Sequence, residues 1–305
     1  MKKLLDCLSS LIGLASLVTS AGCAISDAPE SGVRQANKGG AADSGDPEVG
    51  YLRVLRNDRG VTYYDWCTAT LISPVVLLTA AHCVPRPGTT DTFDGFYTGP
   101  GAPPPATPNM LPLNLTWHGV TEFAIYPGDS YHPGSYDFAS DPYHCPAQHL
   151  DLAVVRLAQP INNAAMYGWQ HFAAAFQGAQ CTTIGYGYHG AKAGQKYQAQ
   201  MSVRSTPDAS WYTAPGSTGL VAWWDPGNGT NHGVPDHGDS GGPLICATSW
   251  GPVIAGVTSC TSAEVDPRAP GGTITTAPIF EASGQGPSVW IEYYWCTWTG
   301  YLCYV

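Results

Sequence analysis

Ser240 lies in Gly238-Asp239-Ser240-Gly241-Gly242-Pro243, where glycines on both sides let a hydroxyl and neighbouring backbone N–H groups converge on one carbonyl. That is the composition of a nucleophile with an oxyanion hole beside it. His82 ends the run Thr79-Ala80-Ala81-His82-Cys83, and imidazole is the side chain best suited to take and return a proton near neutral pH. Asp151 interrupts Leu150-Asp151-Leu152-Ala153-Val154-Val155-Arg156-Leu157, a run that otherwise reads as buried strand, where a carboxylate is costly unless something pairs with it. A histidine N–H is the natural partner. Each motif alone has a structural reading: a Gly/Ser turn, a histidine beside a cysteine, an aspartate at a strand start. In the order His, Asp, Ser they supply a base, an orienting acid and a nucleophile for acyl transfer.

The elements that must hold these residues read as β structure. Only 12% of the 305 residues are charged, while 36 are Gly and 26 Pro, which favours short strands joined by many turns. Val49 to Leu55, Thr68 to Ile72 and Val75 to Thr79 form a meander pattern, with turn signals at Asn57-Asp58 and Ser73-Pro74. From Pro85 to Pro146 the chain is rich in Pro, Gly and Tyr and reads as an insertion with long loops. Asn163 to Phe176 forms a helix-tolerant connector. Beyond it, strands are expected around Cys181 to Tyr188, Gln198 to Arg204, Leu220 to Trp224, Pro243 to Cys246, Val253 to Ser259 and Ser288 to Tyr293, with any substantial helix in the connector or after Glu292.

Together the motifs resemble the chymotrypsin/trypsin family of serine proteases. The likeness is carried by Cys67-Thr68-Ala69-Thr70-Leu71-Ile72-Ser73, Thr79-Ala80-Ala81-His82-Cys83, Leu150-Asp151-Leu152-Ala153-Val154 and Gly238-Asp239-Ser240-Gly241-Gly242-Pro243, in family order. It implies an all-β fold of two packed six-stranded antiparallel barrels, at about residues 45–160 and 177–295, with the active site in the cleft between them. It further implies a serine endopeptidase in which Ser240 is the nucleophile, His82 the base and Asp151 its orienting acid, with the N–H groups of Gly238 and Ser240 as oxyanion donors. Substrate contacts fall by the same likeness on Val234, Asp236, His237, Ser259 and Cys260, Ser259 also matches the serine that supports the buried aspartate, and Asp239 takes a structural role. Disulfides Cys67–Cys83 and Cys181–Cys246 match family pairs. The pairing of Cys145, Cys260, Cys296 and Cys303 stays open: Cys296 with Cys303 would close a small C-terminal loop, and Cys145 with Cys260 would bridge near the cleft. Polypeptide is the substrate, a monomer is expected, and no cofactor is called for.

The chain also departs from the family. His-to-Asp and Asp-to-Ser separations are 69 and 89 residues, against roughly 45 and 93 in the template. Asn37-Lys38-Gly39-Gly40 stands where the family has Ile-Val-Gly-Gly, so Arg34 and Lys38 are the candidate activation sites and the partner of Asp239 is open. Val234 at the pocket floor carries no acid for a Lys or Arg side chain. The alternative reading is a non-catalytic binding module on the protease scaffold. A G-x-S-x-G elbow of the α/β-hydrolase type is excluded, because that order needs a histidine after the serine and none follows His237.

Met1-Lys2-Lys3, the apolar stretch Leu8 to Val18 and Ser20-Ala21-Gly22 resemble a secretory signal peptide over residues 1–22, with a pro-segment or linker at 23–44 and the protease domain at 45–305. Ser20-Ala21-Gly22-Cys23 also resembles a bacterial lipoprotein cleavage box, so a membrane is reached only through lipidation of Cys23. The expected location is secreted or extracytoplasmic. Apart from Cys7 and Cys23, eight cysteines remain of ten, an even number suited to disulfides in an oxidising compartment. His144, Cys145 and His149 match no strong zinc spacing, so no metal is expected. A net charge of −10 without a Lys/Arg stripe argues against nucleic acid.

Overall fold

The computed structural model describes residues 40–99, 116–127, 151–162, 168–169, 179–187, 195–204, 220–223, 235, 237–249, 251–261, 273–278 and 287–302. Its strands are β1 (Ala41–Ala42), β2 (Val49–Asp58), β3 (Val61–Leu71), β4 (Val76–Thr79), β5 (Thr92–Thr98), β6 (Val120–Ile125) and β7 (Ala153–Leu157). They continue as β8 (Gly168–Trp169), β9 (Gln180–Gly185), β10 (Tyr197–Arg204), β11 (Leu220–Trp223), β12 (Pro243–Thr248), β13 (Gly251–Thr261) and β14 (Thr273–Pro278), and the chain ends in a helix, α1 (Pro287–Thr299).

Six strands form the first sheet in the order β5-β2-β3-β4-β7-β6. It curls round until β5 meets the approach to β6, where Phe96 and His118 exchange backbone hydrogen bonds of 2.9 and 2.8 Å. Closure of this kind removes the exposed edges of a sheet. The hairpin from β2 to β3 turns on Arg59 and Gly60, both with positive φ (49° and 81°), the conformation whose twist suits a two-residue hairpin. This turn falls two residues beyond the Asn57-Asp58 signal.

In the second sheet the path runs β10-β11-β14-β13-β12-β9, and β9 also pairs with β10, so six antiparallel strands close into a ring. β1 is added to β10, and β8 runs parallel to β13. The fold is thus mostly β and of the trypsin-like two-barrel type. Ala41 and Ala42 lie within the stretch expected as pro-segment or linker, yet they pair with Gln198 and Tyr197.

Two expectations change. β5 and β6 lie inside the Pro/Gly-rich stretch read as insertion, and each completes the first barrel; loop composition on either side hid these short strands. Ser288 to Tyr293 is helix, not strand. Trp, Tyr and Ile raise strand propensity there, but the buried positions Ser288, Ile291 and Trp298 recur at helical spacing. Pro287 occupies the first turn, where its missing N–H costs nothing, and Gly300, at φ 75°, stops the helix with its N–H on the Cys296 carbonyl at 2.9 Å.

One hydrophobic cluster joins the parts. Ile72, Val76, Leu78 and Leu152 of the first half meet Ile254 and Val257 of β13 and Ile291 and Trp298 of α1. The Trp295 indole N–H donates to the Ile72 carbonyl at 3.2 Å, fixing the helix on the first barrel.

Candidate active site

His82 sits in a 3-10 turn, Ala81–Cys83, immediately after β4. Its backbone N–H donates to Asp151 Oδ1 at 2.9 Å, and its ring Nδ1 lies 2.6 Å from Asp151 Oδ2. Asp151 precedes β7, which pairs with β4 and so carries the carboxylate to the turn. The third donor is Ser259, whose Oγ reaches Asp151 Oδ2 at 2.6 Å. Between Thr258 and Cys260 the pairing of β13 with β14 shifts register, leaving Ser259 as the extra residue, and a bulge re-aims a side chain in this way.

Burial alone would push the Asp151 carboxyl up, but the adjacent His82 charge and hydrogen bonds from His82 and Ser259 outweigh it and hold the carboxyl below its ordinary range. Burial likewise pulls His82 down, while the Asp151 charge and hydrogen bond raise it, and the net direction is upward. The imidazole keeps 20% of its surface exposed, against 4% for the Asp151 side chain.

Ser240 follows Gly238 and Asp239 in a turn held at several points. Its carbonyl accepts from Thr68 N–H at 2.8 Å, Gly241 N–H donates to the Thr258 carbonyl at 2.6 Å, and Gly242 N–H donates to the Asp239 carbonyl at 3.0 Å. Gly238 and Gly241 have φ of 92° and 81°. A Cβ on Gly241 would run into the Thr68 carbonyl and the Thr79 hydroxyl, so only glycine fits this approach to the strands that carry His82. Asp239 is fully buried and accepts from Gly187 N–H at 2.7 Å, with Gly185 and Gly187 leaving room for its carboxylate.

Cys67–Cys83 ties β3 to the histidine turn with Cα atoms 5.8 Å apart, and Cys181–Cys246 joins β9 to β12 at 4.4 Å. Cys296 is also disulfide-bonded. Cys67, His82 and Cys83 bring ligand atoms within 4.8 Å of one another, but the shared disulfide leaves no thiolate for a metal. His237 is exposed in the turn before Gly238. Val234, Asp236, Cys145 and Cys303 lie outside the described residues, as do His144, His149 and the segment at residues 34–39, and of Cys260 only the backbone is described.

Several participants carry no motif. Arg56 is 4% exposed and donates to the carbonyls of His82 and Val84 at 2.6 and 2.7 Å, while Asp91 and Asp65 hold its guanidinium. Asp91 also takes Arg86 and the Asn57 N–H, and these donors keep its carboxyl far below the ordinary range despite burial. A basic residue inside an apolar strand was the one available signal. Lys196, 1% exposed, donates to the Gly45 and Asp46 carbonyls at 2.6 and 2.8 Å and lies 3.2 Å from the Asp43 carboxylate.

Two closed antiparallel barrels, with a histidine and an aspartate beside strands of the first and a glycine-flanked serine before a strand of the second, define a two-barrel serine-hydrolase scaffold. Residues 133–281, which include Asp151, Ser240 and Ser259, match the family model described as Trypsin, and this match supports a serine protease of the chymotrypsin/trypsin family. No curated protein matches the chain.

Proposed function

We propose that the protein is an exported serine endopeptidase working through an acyl-enzyme on Ser240. Ser240 Oγ attacks the scissile carbonyl while His82 Nε2 takes its proton, since Nδ1 is committed to Asp151. The carbonyl oxygen becomes an oxyanion facing the N–H groups of Gly238 and Ser240. As the C–N bond breaks, His82 returns the proton to the leaving amine. Water then attacks the acyl carbonyl, giving its proton to His82, and the acid leaves as the proton returns to Ser240 Oγ.

The observation that carries this reading is the buried Asp151 carboxylate, which receives three donors, two of them from His82. An arrangement of that kind orients an imidazole and stabilises it when protonated. The substrate is a polypeptide. Disulfides suit an oxidising compartment, and no helix among the described residues is long and apolar enough to cross a membrane. Residues 1–22 act as the export signal, 23–44 as pro-segment or linker, and Cys23 as the one route to a lipid anchor.

Fluorescent casein is expected to be cleaved by the mature protein and spared by Ser240→Ala. Equal cleavage by both proteins would refute the role of Ser240. A folded wild type that binds casein without cutting it would favour a binding module instead.

A further inference from the structure

We propose that Thr68 is a positioning residue for the oxyanion hole, an inference that rests on the reading of Ser240 as nucleophile. Thr68 lies in β3 of the first barrel, fully buried. Tyr186 N–H donates to its Oγ1 at 2.9 Å, and Oγ1 in turn donates to the Gly238 carbonyl at 2.8 Å. The single hydroxyl proton is thereby directed, because the incoming N–H takes a lone pair and leaves the proton for Gly238. The Thr68 backbone N–H donates to the Ser240 carbonyl at 2.8 Å. One residue therefore fastens the carbonyls of both residues whose N–H groups are assigned to the oxyanion.

The fastening matters because Gly238, at φ 92° and without a Cβ, has little torsional preference of its own. A free Gly238 carbonyl would let the whole Gly238–Asp239 peptide plane turn, and the torsions on either side of that plane would then shift the flanking N–H groups of Gly238 and Ser240 out of line. Thr68 itself cannot follow such a rotation: its carbonyl accepts from Thr79 Oγ1 at 2.9 Å, and Cys67 beside it is bonded to Cys83. Two residues back on the same strand face, Trp66 closes the other side, with its indole N–H on the Tyr186 carbonyl at 3.2 Å and its ring where a Gly238 Cβ would be. The first barrel thus sets the geometry of donors that belong to the second.

The test is pre-steady-state acylation of the mature protein by p-nitrophenyl acetate, with burst amplitude counting competent sites. Thr68→Val, which keeps the shape and removes the hydroxyl, is expected to acylate about 30-fold more slowly, short of the roughly 10²–10³-fold cost of losing an oxyanion donor outright, because the donors remain and only their alignment is relaxed. Burst amplitude stays full and half-saturation moves less than about twofold, since only transition-state stabilisation is lost. Thr68→Ser, which keeps the hydroxyl, should remain within about threefold of wild type. A merely structural Thr68 would lower amplitude or stability without this split. If Thr68→Val does not fold, Thr68→Ala supplies the hydroxyl-free arm. Wild-type acylation in the hydroxyl-free variant, or an equal loss in Thr68→Ser, overturns the role of Thr68 alone. A wild type with neither burst nor labelling by a fluorophosphonate overturns the protease reading and Thr68 with it.

Discussion

Asp151 governs both the rate and the pH dependence expected of His82. Its charge and hydrogen bond are what raise the imidazole above its ordinary 6.5 against the pull of burial. A base must be neutral to accept a proton, so the acid limb of kcat/KM should report a group titrating above 6.5. In Asp151→Asn the two largest raising influences are gone and burial remains, so that limb should move to lower pH while the plateau falls by about 10⁴. A limb that stays in place would separate Asp151 from His82. Stability runs the other way. A histidine whose folded pKa exceeds its unfolded value stabilises the fold fully below 6.5 and loses that contribution as pH rises through the folded value. Asp151, depressed by folding, contributes above its unfolded pKa and loses that contribution as pH falls through the folded one. His82, Asp151 and Ser240 were legible because each residue type is costly or unusual where it sits. Thr68 was not, since a threonine in a strand is ordinary until its hydroxyl is seen to bridge Tyr186 and Gly238.

β3 and the histidine turn show how the elements share the work of alignment. Cys67 ties the strand to Cys83, Thr68 ties it to the serine turn, and Arg56 from β2 caps the carbonyls of His82 and Val84. Arg56→Met should release the turn and leave Asp91 and Asp65 with fewer donors. Breaking a buried ion pair from one side costs about 3–5 kcal/mol, which urea denaturation would read. Because the Arg56 charge lowers His82, its removal should also shift the acid limb upward, opposite to Asp151→Asn. An unchanged limb and midpoint would show that Arg56 does not act on the turn. Element types were readable where near-continuous burial gave short apolar runs, as in β2, β4 and β7. β5 and β6 escaped because proline-rich flanks surround them, and α1 because its aromatic residues favour strand locally while helical spacing decides their burial.

Across the whole molecule, the two barrels and α1 share one core cluster, so the site is assembled by packing between sheets and not within either alone. His82 and Asp151 come from the first barrel, while Ser240 and Ser259 come from the second. The order of the motifs made this division readable in the sequence. Two clamps cross the boundary: Thr68 to Gly238 spans 170 residues and has no local signature, while Ser259 to Asp151 spans 108 and was expected only through the family likeness. The trypsin-family match begins at residue 133, after His82, so the family relation and the histidine turn rest on different observations. Covalent labelling joins them most directly. A fluorophosphonate incubated with the mature protein should modify the peptide containing Ser240, and His82→Ala should abolish that adduct while remaining folded. Absence of an adduct on folded wild type, or labelling that persists unchanged in His82→Ala, would contradict the account.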